Sequence, residues 1–243
     1  KKIINLKKIK NKNIIEIGPG RGALTNEIIN NEPKNLILIE KDLNLFNLLK
    51  LKYHRYKNIK IYNKDILEFN IEHYTKKNSI IFGNLPYNIS SQILIKFLKF
   101  KKWPPKFTDL IFMFQKELGE KIIGKFETNN YGRLSIISNY KLKIINKFFV
   151  SNNSFFPKPK VTSLVLHFQP NKKTVHKIKN MDNLEKITNV LFSNKRKMIN
   201  KNIKKILNKN QMSIIPSLKL NVRPSEIKPE VFYKITEIYE NEN

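Results

Sequence analysis

The sequence contains no cysteine, which excludes disulfides, iron–sulfur clusters and zinc sites built on thiolates. Its histidines lack the spacing of metal ligands and are interpreted as surface or packing residues: His54, His73, His167 and His176. No apolar run approaches the length that spans a membrane, and no signal or transit peptide is recognisable. We therefore expect a protein that uses no metal and no membrane.

Acidic residues are also scarce, with 19 against 47 basic residues, so the formal net charge is +28. Two long stretches, Thr128–Met181 and Lys186–Ser225, contain no acidic residue. The second stretch carries a crowd of cations: Lys195, Arg196, Lys197, Lys201, Lys204, Lys205 and Lys209. An AT-rich genome explains part of the lysine excess but not its uneven placement, so we expect a polyanion to dock on a basic face.

The alternation of apolar runs and helical patterns predicts an α/β fold. With 243 residues, 40% of them hydrophobic, the chain is long enough for one large domain and a small appendage. The predicted strands are Asn13–Ile17, Asn35–Ile39, Ile59–Tyr62, Ile80–Phe82, Leu110–Phe114, Leu142–Val150 and Ser163–Gln169. The predicted helices among them are Ala23–Asn30, Leu43–Tyr53, Ser91–Phe100 and Lys116–Lys125.

Strand-like runs stop near residue 170, and the remaining chain is basic and helical in period. It contains three short predicted helices: Leu184–Phe192, Ile199–Leu207 and Val231–Tyr239. We place a boundary between Pro170 and Lys179, which predicts an α/β domain over 1–172 and a small all-α domain over 173–243.

A glycine-rich turn follows the first predicted strand, in the segment Ile14-Ile15-Glu16-Ile17-Gly18-Pro19-Gly20-Arg21-Gly22. Such a turn lets the backbone approach a ligand closely and presents the free N–H groups of a helix start. Glu40, which ends the next strand, is a candidate partner for ribose hydroxyls, although it could instead cap the following helix, a role that suits Asp42 better. These features favour an adenosine-bearing ligand and leave NAD and S-adenosylmethionine both open.

Asp65 and Ile66 follow the third predicted strand. In a doubly wound sheet the ends of successive strands line one crevice, so the Asp65 carboxylate could accept a hydrogen bond from an adenine amine. A simple turn aspartate is the alternative interpretation of this residue.

The segment after the fourth strand, Gly83-Asn84-Leu85-Pro86-Tyr87-Asn88-Ile89-Ser90, carries the strongest signal. Asn84-Leu85-Pro86-Tyr87 resembles the signature of amino-methyltransferases: Asp or Asn, any residue or Pro, Pro, then an aromatic. It is specifically similar to the rRNA adenine dimethyltransferase family. The matching chemistry needs two acceptors, the Asn84 side-chain oxygen and the Leu85 carbonyl, to bind both N–H groups of an adenine amine.

The other residues of this segment suit the same reaction. Pro86 stiffens the loop and so keeps the two acceptors in place. Tyr87 offers a ring on which an extruded base stacks. No strong general base is needed, because the alkylated amine is acidic and loses its proton to water.

Ser154–Ser163 resembles a second family segment, Phe-x-Pro-x-Pro-Lys-Val-x-Ser. By this resemblance Phe155 is the second aromatic wall around the base, with Phe156 as the alternative, while Lys158 and Lys160 suit phosphate contacts. Further similarity appears, in family order, at Met113–Glu117, Tyr131–Ser135 and Phe192–Lys197.

The resemblance implies a Rossmann-like class I methyltransferase with a seven-stranded, mostly parallel sheet and a small helical C-terminal domain. It also implies dimethylation of two adjacent adenines in small-subunit rRNA during ribosome assembly. Gly18, with Glu16 and Gly20, would hold the methionine part of S-adenosylmethionine. Glu40 would hold the ribose, Asp65 and Ile66 the adenine, and Asn84 would bridge the cofactor and the target. A Gly-Gln-x-Phe-Leu segment of the family is absent upstream of the first strand.

The sequence leaves three alternative functions open. One family branch methylates large-subunit rRNA, and some organellar relatives act as transcription factors without needing catalysis. An NAD oxidoreductase leaves the segment Asn84–Tyr87 and the basic tail unexplained. We expect a monomer that contacts rRNA through Lys195, Arg196, Lys197 and Lys201, located in a plastid-like organelle or mitochondrion, or in the cytoplasm if the source is a bacterium.

Overall fold

A computed structural model describes residues 2–151, 161–172, 176–215 and 218–241. The chain divides into two compact units, the first made of Lys1–Gly119 and Lys143–Pro170, the second of Glu120–Leu142 and Asn171–Asn243. The predicted domain boundary after residue 172 lies beside the division at Pro170. The segment Glu120–Leu142, which the prediction placed in the first domain, belongs to the second unit.

The first unit is built on a seven-stranded sheet in the order β3-β2-β1-β4-β5-β7-β6. The strands are β1 Asn13–Ile17, β2 Asn35–Glu40, β3 Ile59–Asn63, β4 Ser79–Asn84, β5 Phe107–Gln115, β6 Leu142–Val150 and β7 Ser163–Pro170. Pairing is parallel from β3 through β5, whereas β7 runs antiparallel to β5. The predicted α/β fold with a seven-stranded, mostly parallel sheet is confirmed.

Each of the strands β1 to β5 is followed in the chain by a helix, in order α1 Ala23–Ile29, α2 Leu43–Tyr53, α3 Ile71–Tyr74, α4 Ser90–Leu98 and α5 Lys116–Ile123. Asp42 caps α2, since its carboxylate accepts the Leu45 N–H at 2.8 Å, as the sequence predicts. In α4 the predicted apolar face is buried, with Ile93 and Phe97 fully inaccessible. The single-turn α3 escaped prediction because four residues are too few to show a period.

The central strands β4 and β5 are apolar on both faces, which is typical of a strand that is covered on both sides. The order of the strands reverses between β1 and β4, because β1 continues toward β2 and β3 while β4 continues toward β5. Open parallel sheets bind ligands at the carboxyl ends of the strands beside such a reversal. The topology therefore selects the loops after β1 and β4 as the place to look for a site.

His167 has the packing role predicted for it. Its Nε2 lies 2.7 Å from Asp109 Oδ1, which also accepts the Gln169 amide N–H at 2.9 Å, and all three side chains belong to β5 or β7. Although burial alone would raise the pKa of the Asp109 carboxyl, these hydrogen bonds and the nearby Lys7 ammonium hold it well below its usual range. The cluster thus ties the antiparallel strand β7 to the parallel part of the sheet.

The second unit is helical: α6 Arg133–Lys141, α7 Met181–Phe192, α8 Asn200–Ile203, α9 Lys209–Ser213 and α10 Pro229–Asn241. Phe192 and Phe232 stack with ring centroids 5.6 Å apart. The Tyr233 hydroxyl donates to the Ile136 carbonyl at 2.8 Å, and the Tyr131 hydroxyl donates to the Ile227 carbonyl at 2.7 Å. These buried hydrogen bonds explain why Glu120–Leu142 folds with the C-terminal residues.

The prediction of one helix over Ile199–Leu207 is wrong. The structure has a single turn, α8, that ends at Ile203 and is followed by a turn at Lys204, Lys205 and Ile206. Lysines three and four positions apart repel one another on a helix, which disfavours its continuation. Asn208 then starts α9 through a reciprocal cap with Gln211. No helix in the described residues is long and apolar enough to cross a bilayer.

Candidate active site

The glycine-rich turn leaves β1 at the point where the strand order reverses. Gly18, Gly20 and Gly22 all have positive φ angles, of 64°, 58° and 80°. At Gly22 a side chain would also collide with the Tyr53 hydroxyl, which donates to the Gly22 carbonyl at 3.1 Å. All three positions therefore favour glycine for their backbone conformation, and Gly22 favours it also for the close approach of Tyr53.

Glu40, the last residue of β2, holds this turn in place. Its Oε2 accepts the Gly20 N–H at 3.1 Å, and its Oε1 accepts the Asp42 N–H at 3.0 Å. Glu40 is 8% exposed, and backbone N–H groups hold both oxygens of its carboxylate. Each oxygen keeps a second lone pair, which suits it for accepting hydrogen bonds from the hydroxyls of a bound ribose.

Glu16 lies inside β1 and is only 1% exposed. Burial raises the pKa of its carboxyl to about 8, a shift that the negative charge of Glu40 reinforces and the hydrogen bond from Thr25 opposes. Thr25 Oγ1 donates to Glu16 Oε2 at 2.7 Å, which links the strand to the first helix beyond the turn. Glu16 thus joins β1 to α1 on either side of the glycine turn, and its predicted cofactor-binding role stays a prediction.

We expect Glu16→Gln to flatten the dependence of stability on pH. A carboxyl whose native pKa is raised holds its proton more tightly in the folded state, so wild-type stability falls as pH rises from about 4.3 toward about 8. Glutamine still accepts from Thr25 but does not ionise. Thermal unfolding between pH 5 and 8 measures this, with the partly exposed Glu27→Gln as the control. Parallel curves for wild type and Glu16→Gln would contradict the expectation.

Asp65 lies two residues beyond the carboxyl end of β3. Its Oδ1 accepts the Leu67 N–H at 2.8 Å, and its Oδ2 lies 2.7 Å from the ammonium of Lys41. The hydrogen bond from Lys41 has the largest effect on the pKa of the Asp65 carboxyl and lowers it. Asp65 thus has a turn role as well as a position in the crevice, and the side chain of Ile66 is 6% exposed beside it. The predicted contact of Asp65 and Ile66 with adenine stays a prediction.

Asn84 is the last residue of β4 and is exposed, and its side chain has no hydrogen-bond partner among the described residues. A side-chain carbon added at Gly18 would lie 3.4 Å from the Asn84 carbonyl oxygen, so the glycine turn and this loop adjoin. Leu85 is 2% exposed and packs against Gly83, which anchors the loop to the core. The loop therefore exposes the polar side chain of Asn84, while the buried side chain of Leu85 fixes the loop to the core.

Tyr87 is held at both ends. Its hydroxyl lies 3.0 Å from Ser163 Oγ at the start of β7, and its carbonyl accepts the Ser90 hydroxyl at 3.1 Å. Its ring is half-buried, and Pro86 before it is exposed. A ring fixed in this way provides a stacking surface whose orientation is set before a base arrives.

The remaining predicted site residues fall in two places. Phe155, Phe156, Lys158 and Lys160 lie outside the described residues. Lys195, Arg196, Lys197 and Lys201 belong to the second unit and all have exposed side chains. Exposure is what a phosphate-contacting cation requires, and their role in RNA binding stays a prediction.

Three site residues were missed by sequence reasoning: Lys41, Tyr53 and Ser163. Lys41 carried a weak signal, since a lysine directly after Glu40 stands beside any ligand that Glu40 holds. Ser163 ends the segment Ser154–Ser163 that resembles the family, but its contact with Tyr87, 76 positions away, is not visible in the sequence. Tyr53 carried no signal, because its partner Gly22 lies 31 positions away in the chain.

Comparison with known proteins agrees with this geometry. A sequence model of the ribosomal RNA adenine dimethylase family matches residues 1–241. The ribosomal RNA small subunit methyltransferase A of Pelagibacter ubique is 40% identical over 241 residues, which cover 99% of this chain and 91% of that protein. The protein of the same name from Malacoplasma penetrans is 37% identical over 240 residues, covering 97% of this chain and 85% of that one.

Solved structures show the same fold. A dimethyladenosine transferase from Plasmodium falciparum has a TM-score of 0.76 at 26% identity, covering 96% of this chain and 92% of that one. The 23S rRNA methyltransferase ErmE has a TM-score of 0.66 at 20% identity, covering 98% and 96% of the two chains, a likeness of fold alone. The match of sequence over nearly the whole length, together with the shared fold, means that the chain belongs to the ribosomal RNA adenine dimethylase family.

Proposed function

We propose that this chain transfers methyl groups from S-adenosylmethionine to the exocyclic amines of two adjacent adenines in small-subunit ribosomal RNA, and releases S-adenosylhomocysteine. One observation carries the proposal: the glycine turn after β1 and Asn84 at the end of β4 adjoin at the reversal of the strand order. A cofactor bound by the glycine turn would therefore lie beside a base bound by Asn84.

The residues of the crevice fit S-adenosylmethionine. Gly18 and Gly20 would let the backbone approach the methionine part, and Glu16 joins β1 to the helix after this turn through Thr25. Glu40 has lone pairs left for the ribose hydroxyls. Asp65 and Ile66 stand where the next strand ends, one with an acceptor and the other with an apolar surface for adenine. The bound cofactor supplies an electrophilic methyl group on a sulfonium.

Asn84 and Leu85 would act on the target amine. Its lone pair is delocalised into the adenine ring, so it is a poor nucleophile until the nitrogen becomes pyramidal. The Asn84 side-chain oxygen and the Leu85 carbonyl accept the two N–H groups, which favours the pyramidal form and stabilises the positive charge that develops on nitrogen. Tyr87 stacks on the extruded base, and Pro86 restricts the loop between them. Because the alkylated amine is acidic, water takes its proton.

The choice of RNA rests on other observations. The relatives at 40% and 37% identity are named small-subunit rRNA methyltransferases, which supports that branch over the large-subunit one. The net charge of +28 and the exposed cations Lys195, Arg196, Lys197 and Lys201 suit an RNA partner. Action on an assembling subunit, a monomeric state, independence of metal and an organellar location stay predictions.

The direct test incubates the protein with small-subunit rRNA and S-adenosylmethionine labelled in its methyl group, then analyses nucleosides by mass spectrometry. We expect label in N6,N6-dimethyladenosine, in two adjacent positions of the RNA sequence. Label in guanine or cytosine, or no label, would refute the proposal. Parallel reactions with large-subunit rRNA distinguish the two branches of the family.

We expect Lys41→Met to tighten cofactor binding by about two- to fivefold. The ammonium of Lys41 takes up one lone pair of Asp65 Oδ2 and offsets its negative charge, so this oxygen is a weaker acceptor for an adenine amine than it would be without Lys41. Isothermal titration with S-adenosylhomocysteine measures the affinity. Lys64→Met is the matched control, because Lys64 is also an exposed lysine next to Asp65 in the chain, whereas the ammonium that bonds to the Asp65 carboxylate is that of Lys41. Unchanged or weaker binding by Lys41→Met would mean that Asp65 does not meet the adenine.

A further inference from the structure

A cavity of about 560 Å³ lies within the second unit and plays no part in the site described above. Its walls come from three places: Phe126–Tyr131 after α5, Lys195 after α7, and the turn containing Ser225 and Glu226. A volume of this size is typical of pockets that take a small organic ligand. The cavity therefore has room for a single nucleotide.

The wall formed by Phe126–Tyr131 is folded tightly. The Thr128 and Tyr131 N–H groups donate to the carbonyls of Lys125 and Thr128 at 3.1 and 3.0 Å, which makes two successive turns. A side chain added at Gly124 would collide with the Asn130 carbonyl, so the two ends of the segment approach closely. The Tyr131 ring is 3% exposed and meets Phe126 edge to face at 5.6 Å. The wall is thus shaped before any ligand enters.

The polar groups of the cavity are of two kinds. Lys195 supplies a cation beside the start of α6, since its Nζ would lie 3.7 Å from a side-chain carbon added at Gly132. Glu127 and Glu226 supply carboxylates, and Glu226 Oε2 already accepts the Arg223 N–H at 2.6 Å, which orients that side chain. A matching ligand must carry a negative group for the lysine and N–H donors for the carboxylates.

An unpaired RNA nucleotide meets these requirements. Its phosphate suits Lys195, and the exocyclic amino group of adenine, cytosine or guanine offers two N–H donors to the two carboxylates, whereas uracil offers only its single ring N3–H. Proteins read single-stranded RNA by taking bases out of the stack, placing them against aromatic rings and bonding their edges. We propose that this cavity binds one unpaired, amino-bearing nucleotide of the RNA substrate, other than the methylated adenines. This inference rests on the proposed function, because it requires an RNA substrate.

Photo-crosslinking tests the cavity with the full chain. Small-subunit rRNA containing 6-thioguanosine is irradiated with the protein, the crosslinked peptides are mapped by mass spectrometry, and methyl transfer is measured on the same sample before irradiation. We expect a crosslink within Phe126–Tyr131 that Lys195→Met reduces at least fivefold. Lys179→Met is the matched control, because Lys179 is an exposed lysine of the same unit outside the cavity, and we expect it to change the crosslink less than twofold.

A second RNA containing 4-thiouridine tests the base preference. We expect the share of all crosslinks that falls in Phe126–Tyr131 to be at least fivefold lower than with 6-thioguanosine. Methylated RNA without a crosslink in this segment, or equal shares for the two bases, would overturn the inference and leave the proposed function standing. A crosslink in this segment without methyl transfer would overturn the proposed function instead.

Discussion

Asn84→Ala is expected to lower kcat for methyl transfer by about 100- to 1000-fold, the usual cost of removing one group that stabilises developing charge. The Asn84 side-chain oxygen is one of two acceptors that we assign to the target amine, and no other described side chain bonds to it. RNA affinity should change less than about twofold, because the contacts that set affinity are made to phosphates elsewhere. Single-turnover methylation and filter binding measure the two quantities separately.

Asn88→Ala is the matched control for this prediction. Asn88 belongs to the same loop, has the same side chain and is exposed. We expect it to keep kcat within about threefold of wild type. Full activity in Asn84→Ala would remove the acceptor role of Asn84, and an equal loss in both variants would point to disruption of the loop instead.

Replacing Lys195, Arg196 and Lys197 together by methionine is expected to weaken RNA binding about 10- to 100-fold at physiological salt. Each phosphate contact releases about 0.7 counterion from single-stranded RNA, so losing three contacts should lower the slope of log K against log salt by about two. The effect on kcat at saturating RNA should be small, because these residues belong to the second unit and not to the methyl-transfer site. Affinity measured from about 50 to 200 mM salt gives the slope.

The control triple variant replaces Lys101, Lys102 and Lys106. These lysines are exposed and lie just before the start of β5, at the edge of the sheet opposite the carboxyl ends of the parallel strands. Their replacement by methionine removes the same charge, so any effect that both triple variants share reports net charge alone. Equal salt slopes in the two variants would show that Lys195, Arg196 and Lys197 make no special phosphate contacts.

Much of the fold follows from local sequence. Strand β1 and helix α2 have the bounds that the sequence predicts, because a short strand of β-branched residues and a leucine-rich helix that begins at the cap Asp42 carry their own signals. Helix α6 was missed although Tyr131-Gly132-Arg133 stood out as a motif, since its apolar residues follow no clear helical face. Its burial in the second unit, through Tyr131 and Tyr233, stabilises a helix that its own pattern does not predict.

The kinds of chemistry present can be identified from the residues alone: a glycine turn after a strand, acids at the ends of the next two strands, an Asn-Leu-Pro-Tyr segment and an excess of cations. Which of these groups come together depends on the folded arrangement of the strands. Gly18 adjoins Asn84 because β1 pairs with β4, and Glu40 supports Gly20 because β1 also pairs with β2. Contacts between residues 20 to 76 positions apart depend on strand order and register, which no local pattern encodes.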